Sequence, residues 1–280
     1  ERPQSIADEA ARKAILDVID ELRPLAAEIR GLPWKYEVPA DVISRAEMRK
    51  DFERSVKEEL KPHLYERDLK VARRLGLLGD DEDPIALTLQ FMERGVAGYY
   101  DPKRRHFYVI EGLSADAQRP TILHELVHAL EDQHHDLRAQ VDRYEENGDA
   151  LFAMKCVQEG SAEVARRIYE SRFPEAAKAS QAEQARSPDR EATLKAVLSV
   201  PAVLVVGTML HYQTGPAFVG RFVRDGDYPS RMEALYKEGP TTQEQVLRPG
   251  RWVGEHKDLP RRIVLPALEP ALGDGWKGLK

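Results

Sequence analysis

Between Thr121 and Leu137 the chain reads TILHELVHALEDQHHDL, and this run restricts the fold more than any other. Opened by Pro120, it is composed mostly of helix formers. Ile122, Leu126 and Leu130 supply apolar anchors for a buried helix. The same run carries four histidines. His124 and His128 stand four positions apart, which on a helix puts them on one face about one turn apart. The fold must therefore bury this helix and still let two imidazoles face one point, with Glu125 beside them.

Two imidazoles so placed suit a single divalent cation, and the neighbouring carboxylate suits proton abstraction from water. A catalytic metal site uses three protein ligands and keeps one position open. Two residues compete for the third place. His134 lies six positions after His128, a spacing that needs a glycine to turn the chain, and Glu131 holds that position here. Glu159, in the segment CVQEGSAE at 156–163, is the preferred candidate. It falls on the next expected helix. Glu163, four residues on, shares its face and is placed to accept a hydrogen bond from the outer nitrogen of a ligating histidine.

The rest of the chain reads as mainly α with a small β-hairpin, an α+β class. Helical periodicity runs from Ile6 to Ile29. Asp41 reads as the cap of a helix reaching Glu58, and further helices follow Pro62 and Pro84. Residues 1–94 form a helical scaffold region, and 95–280 the domain that carries the motifs. Val96–Tyr100 and His106–Ile110 flank the turn signal Asp101-Pro102-Lys103 and predict a hairpin. The edge of the His106–Ile110 strand is the expected place for an extended peptide, with Tyr99, Tyr100 and Tyr108 lining a subsite. Helices are expected over 148–171 and on to about 225, with a loop or frayed helix at 172–189. Short strands are expected at 251–253 and 263–265.

With 280 residues, 42% of them hydrophobic, the chain is long and apolar enough for a real core. The net charge of -6 argues against a nucleic-acid binder. Leu194–Leu210 is the most apolar stretch, but it holds Lys195, Pro201 and Gly207, so a buried core helix is expected and not a membrane span. The single cysteine, Cys156, forbids an intrachain disulfide and reads as a small buried hydrophobe. Exported bacterial proteins often lack disulfides too. A secreted, periplasmic or cell-envelope location is expected.

The motifs together resemble a known family. Glu159-Gly160-Ser161-Ala162-Glu163 resembles the NEGFA-type segment of the M1 aminopeptidases, and Tyr212-Gln213-Thr214-Gly215-Pro216-Ala217-Phe218-Val219 resembles their YxKGxxV segment. The order HExxH, EGxA, YxxG is the same. The connection before Glu159 is longer, and no GxMEN segment is present. The run from His124 to Leu137 is closer to a poorly characterised bacterial family that pairs HELxHALxDQH with EGxA and YxxGxxFV. Residues 240–249, PTTQEQVLRP, resemble a late segment of that family, with Arg248 in place of a histidine. The resemblance spans about Gly95 to Trp252.

It implies a zincin-like fold with a gluzincin-type site. One Zn2+ is held by His124, His128 and Glu159, Glu125 is the general base, and Tyr212 is the oxyanion donor. His211 and Tyr228 are the fallback donors. The implied activity is a peptidase, an endopeptidase in view of the missing GxMEN segment. Its partner is a peptide or protein substrate, with no nucleic acid and no membrane span. The competing expectation is a zinc-stabilised binding or inhibitory module with a vestigial site.

Overall fold

The computed structural model describes residues 6–186, 189–223, 227–253 and 257–261. The chain opens with α1 (Ile6–Arg30), β1 (Ala40–Ile43), α2 (Arg45–Glu59), α3 (Pro62–Arg74) and α4 (Pro84–Gly95). The hairpin β2 (Gly98–Asp101) and β3 (His106–Ile110) leads into α5 (Ala115–His135) and α6 (Leu137–Tyr144). Then come α7 (Gly148–Arg172), α8 (Pro174–Arg186), α9 (Asp189–Ser199), α10 (Ala202–Val223), α11 (Tyr228–Glu238) and α12 (Gln243–Leu247). The fold is mainly α with one small mixed sheet, as expected of the α+β class.

The sheet has the order β1-β3-β2. β2 and β3 pair antiparallel around the Asp101 turn, whose carboxylate accepts from Lys103 N and Arg104 N. β1 pairs parallel with β3, Ala40 against Phe107 through Ile43 against Ile110. That strand replaces the helix start expected at Asp41. The helix cap is Ser44, in a capping box with Glu47, a local signal that fixes α2 and releases the preceding residues to the sheet.

Two other boundaries move. α5 starts at Ala115, capped by Ser114, and Pro120 lies inside it. As the sixth residue of the helix, Pro120 lacks the i→i−4 backbone bond to Asp116 O. Of the loop or frayed helix expected at 172–189, residues 174–186 form a regular helix, because α8 docks on α5: Ser180 Oγ donates to Ala117 O at 2.6 Å, and Glu183 accepts from the Ser114 backbone N–H at 2.8 Å. The strand expected at 251–253 is absent. Pro249–Arg251 is a 3-10 turn, and 263–265 lies outside the described residues. The apolar 194–210 stretch is broken at Val200-Pro201 into α9 and α10, bent by 110°. Leu194, Leu198, Val206 and Met209 are exposed, so it is not the single buried helix expected. No single described helix is long and apolar enough to cross a membrane.

One core joins α1 to α5 and α7. Ile15, Val18, Ile19, Leu22, Ala26 and Ile29 of α1 are packed in the same cluster as Ile122, Leu123, Leu126 and Val127 of α5 and Ala153, Cys156 and Val157 of α7. The region before residue 95 is helical apart from β1 and contributes to the core that carries α5.

At the end of α1 the core turns polar. Arg30 and Glu131 are fully buried and bonded, Arg30 Nε to Glu131 Oε1 at 2.5 Å. Ser161 Oγ of α7 donates to the same carboxylate at 2.5 Å, and Tyr236 Oη of α11 donates at 2.7 Å. Tyr228 Oη bonds Ser161, and Arg30 reaches Glu233 at 2.8 Å. Four helices meet on one carboxylate. Removing one partner of a buried pair strands the other charge, a loss of about 3–5 kcal/mol. Arg30→Met is expected to lose about that much in urea unfolding, while Arg30→Lys, which keeps the charge but not the fork, is expected to lose less.

Candidate metal centre

The site begins with α5. Its buried faces carry Ile122, Leu123, Leu126 and Val127, all inaccessible to solvent, so rotation of the helix is fixed by packing. That rotation leaves His124 and His128 side by side, their rings 4.8 Å apart and nearly perpendicular. Glu125, one residue round, faces β2, where its Oε2 accepts from Tyr100 N at 2.9 Å.

Glu159 arrives on α7 and Tyr212 on α10, and these two helices cross with backbones in contact. A Cβ at Gly160 would sit 2.5 Å from Gly215 O, and one at Gly215 would sit 2.4 Å from Cys156 O. Only glycine at both positions allows that approach. The glycines of the EGSA and YQTG segments therefore have a packing role. They bring the residue before Gly160 and the residue three before Gly215 to the same cleft.

His124 Nε2 and His128 Nε2 are 3.1 Å apart, and Glu159 Oε2 lies 3.2 Å from the first and 3.3 Å from the second. Three donors converge from two helices. A tetrahedral ion about 2.0–2.1 Å from each donor needs its ligands roughly 3.3 Å apart. The triangle is close to that size, so the group is able to hold a metal ion. All three side chains are mostly buried but keep some solvent access, which suits a site with one side open.

The local charge calls for a cation. Burial opposes charging His128, but the carboxylates of Glu159, Glu125 and Glu131 outweigh it and hold the imidazolium up at about 9. Burial likewise opposes the Glu159 carboxylate, yet His128 and His124 pull it far below the usual carboxylate range. Glu125 is raised by burial, with both histidines pulling the other way. Tyr212 lies with its ring stacked 6.5 Å from that of His124. The residue is 43% exposed, while its hydroxyl lies toward Glu159 and Glu125. Burial there, with Glu159 and Glu125 close by, pushes the phenol well above its ordinary value, so it is a neutral donor at any working pH.

The remaining candidates separate. Glu163 Oε2 is 4.0 Å from His124 Nδ1, too far for a hydrogen bond. It is held by Arg166 at 2.7 and 2.6 Å and by Arg167 at 3.2 Å. His134 faces away from the cluster, with Nε2 2.8 Å from Pro33 O. Tyr228 belongs to the Glu131 network. His211 is buried beside Tyr212, with ring centroids 4.6 Å apart, and burial lowers its basicity.

The hairpin edge is also reassigned. His106–Ile110 is the central strand, paired on both sides, so it has no free edge. β1 and β2 are the two edges, and β2 is the one that meets Glu125. Ile110 N donates to Ala97 O, so pairing alternates along β2 and turns the backbones of Gly98 and Tyr100 outward, toward Glu125. Tyr100 itself is buried with Oη bonded to Asp132 at 2.8 Å. Tyr99 and Tyr108 stack on the other face of the sheet, 5.0 Å apart.

Sequence reasoning missed Glu131 and Asp132. The signal was present: Leu123, Val127 and Glu131 recur every four residues on one buried stripe, and an acid on such a stripe requires a buried cation.

Comparisons with protein-family models, with curated proteins and with solved structures find no match for this chain.

Metal uptake is expected to release a proton, because the His128 proton at about 9 must leave before the ring ligates. Affinity should therefore fall as pH drops below that value. Calorimetry in two buffers of different ionisation enthalpy at neutral pH is expected to show about one proton released per ion. His128→Ala is expected to remove both the release and the tight binding.

Proposed function

We propose that this chain is a gluzincin-type zinc peptidase, acting on internal bonds of peptide or protein chains. The observation that carries the reading is the single cleft in which His124, His128 and Glu159 form a triangle of 3.1–3.3 Å sides, with Glu125 on one side and Tyr212 on the other. The sequence resemblance in HExxH, EGxA and YxxG order supports it.

His124, His128 and Glu159 hold the ion. Two imidazoles and a carboxylate suit zinc, and Fe, Co or Mn share the preference in part. When bound, zinc supplies Lewis acidity, which polarises a carbonyl and makes water easier to deprotonate. Glu125 accepts a proton from the attacking water and passes it to the leaving amine. Its raised carboxyl basicity, caused by burial, fits a group that must both take and give a proton. The Tyr100 N–H fixes the orientation of that carboxylate. Tyr212, neutral throughout, donates to the oxyanion as it develops. The outward backbone of Gly98 and Tyr100 O offer pairing groups to an extended substrate. The absence of a GxMEN segment from the sequence favours internal cleavage.

Glu125→Gln keeps the ligand triangle and removes the proton carrier. It is expected to bind zinc as the native chain does and to lose about two to four orders of magnitude in cleavage of casein or a long unstructured peptide. Full activity in this variant excludes the mechanism. Zinc binding by a native chain that cleaves none of a broad set of peptides points instead to the vestigial binding module. Tyr212→Phe is expected to lower kcat by about two to three orders of magnitude with little change in KM.

A further inference from the structure

We propose that Asp132 is a positioning residue for Glu125, acting through Tyr100. The inference rests on the peptidase reading and deepens it: the direction of the general base is set two helical turns away, at the corner between α5 and α6.

Asp132 follows Glu125 by seven residues, so the two share a face of α5, about 10 Å apart along its axis. Tyr100 of β2 meets both. Its backbone N donates to Glu125 Oε2 at 2.9 Å, and its hydroxyl donates to Asp132 Oδ2 at 2.8 Å. Asp132 is itself fixed. Its Oδ1 accepts from Leu137 N at 2.8 Å, across the break between α5 and α6, and its carbonyl accepts from Asp136 N at 3.0 Å. Both carboxylate oxygens are therefore engaged, one with α6 and one with β2.

Among the described residues, these are the two hydrogen bonds between β2 and α5, and both come from Tyr100. The ladder to β3 acts within the plane of the sheet, so the polar tie from β2 to the helix is Tyr100. Tyr100 and Asp132 are both buried. Burial and the Asp132 carboxylate push the phenol well above its ordinary value, so it stays neutral and donates. A buried hydroxyl that loses its acceptor turns to find another. The Asp132 side opens on a cavity also lined by Tyr36, Arg105 and Asp136. Without Asp132 the hydroxyl has room to swing toward it and carry the Tyr100 N–H off Glu125. Misplacing a catalytic group by about 1 Å costs up to about a hundredfold in rate.

Hydrogen exchange at single amides of the zinc-loaded, full-length protein reads this geometry without turnover. In Asp132→Ala and in Tyr100→Phe the Tyr100 amide is expected to exchange at least about tenfold faster than in the native chain. The Ile110 amide, which bonds Ala97 O in the same hairpin, is expected to keep its rate. Asp132→Asn accepts from Leu137 N with its oxygen and meets the phenol with its amide, so it is expected to retain most of the protection. In cleavage of a long unstructured peptide, Asp132→Ala is expected to lower kcat about tenfold to hundredfold, with KM and zinc content nearly unchanged. If Asp132→Ala does not fold, the loss in Tyr100→Phe and its absence in Asp132→Asn decide in its place. Unchanged exchange at Tyr100 overturns the assignment. Equal loss at Tyr100 and Ile110 overturns it too, because it marks a general loosening of the hairpin. So does lost protection with full kcat. A native chain that cleaves no peptide counts against the peptidase reading alone, and the exchange rates still decide whether Asp132 holds the Tyr100 N–H on Glu125.

Discussion

The buried carboxylate of Glu131 is the interaction on which the rest of the structure depends. It accepts from Arg30 of α1, Ser161 of α7 and Tyr236 of α11 at 2.5–2.7 Å, so four helices share one charge. Glu131 lies three residues past His128, and Ser161 two past Glu159. The bond between them therefore sets the relative rotation of α5 and α7 within a turn of the site. An apolar contact at this point would tolerate sliding and rotation. A charged fork with fixed directions does not, because any displacement leaves a buried group unpaired. The same length of helix that carries the ligands carries the device that registers them.

The second constraint is close packing without polarity. Gly160 and Gly215 let α7 and α10 touch backbone to backbone, and each glycine stands next to, or one turn from, a residue of the cleft. Glycine in a helix interior costs about 1 kcal/mol relative to alanine. Here that cost is offset by an approach no other residue permits. The two devices act on different helix pairs. The Glu131 network fixes α7 on α5, and the glycine contact fixes α10 on α7. Tyr212 is thus located by a chain of two contacts, and Glu159 by one.

What was legible in the sequence follows the same logic. The pair His124 and His128 was readable because one helix places both, and helical spacing is a local property. Glu159 was readable from its place on the next expected helix and from the resemblance of its EGSAE segment to the NEGFA type. The hairpin was readable from its turn. β1 was not, because a parallel strand pairs with residues more than sixty positions away and leaves no local signature beyond Val42 and Ile43. Assigning the free edge to His106–Ile110 failed for that reason: with β1 unseen, the central strand looked like an outer one. The loop or frayed helix expected at 172–189 is a regular α8 because Ser180 and Glu183 find partners on α5 and its cap, again a contact that composition does not reveal. Of the acidic residues on α5, Glu125 was identifiable by motif, whereas Glu131 needed its partner Arg30, 101 residues away.

Charge balance in the cleft leads one step further. Glu163, though near His124, is already neutralised by Arg166 and Arg167, so its field adds little to the site. Glu159 and Glu125 have no Lys or Arg partner among the described residues. A single proton on His128 balances only one of these two negative charges. A dication at the triangle balances both and frees the imidazole to act as a ligand. The arrangement is thus better satisfied by a divalent ion than by any protonation state of its own groups, and the arginines that hold Glu163 keep the demand at two charges instead of three. On the proposed reading, this balance suits a dication at His124, His128 and Glu159 and leaves Glu125 available for protons.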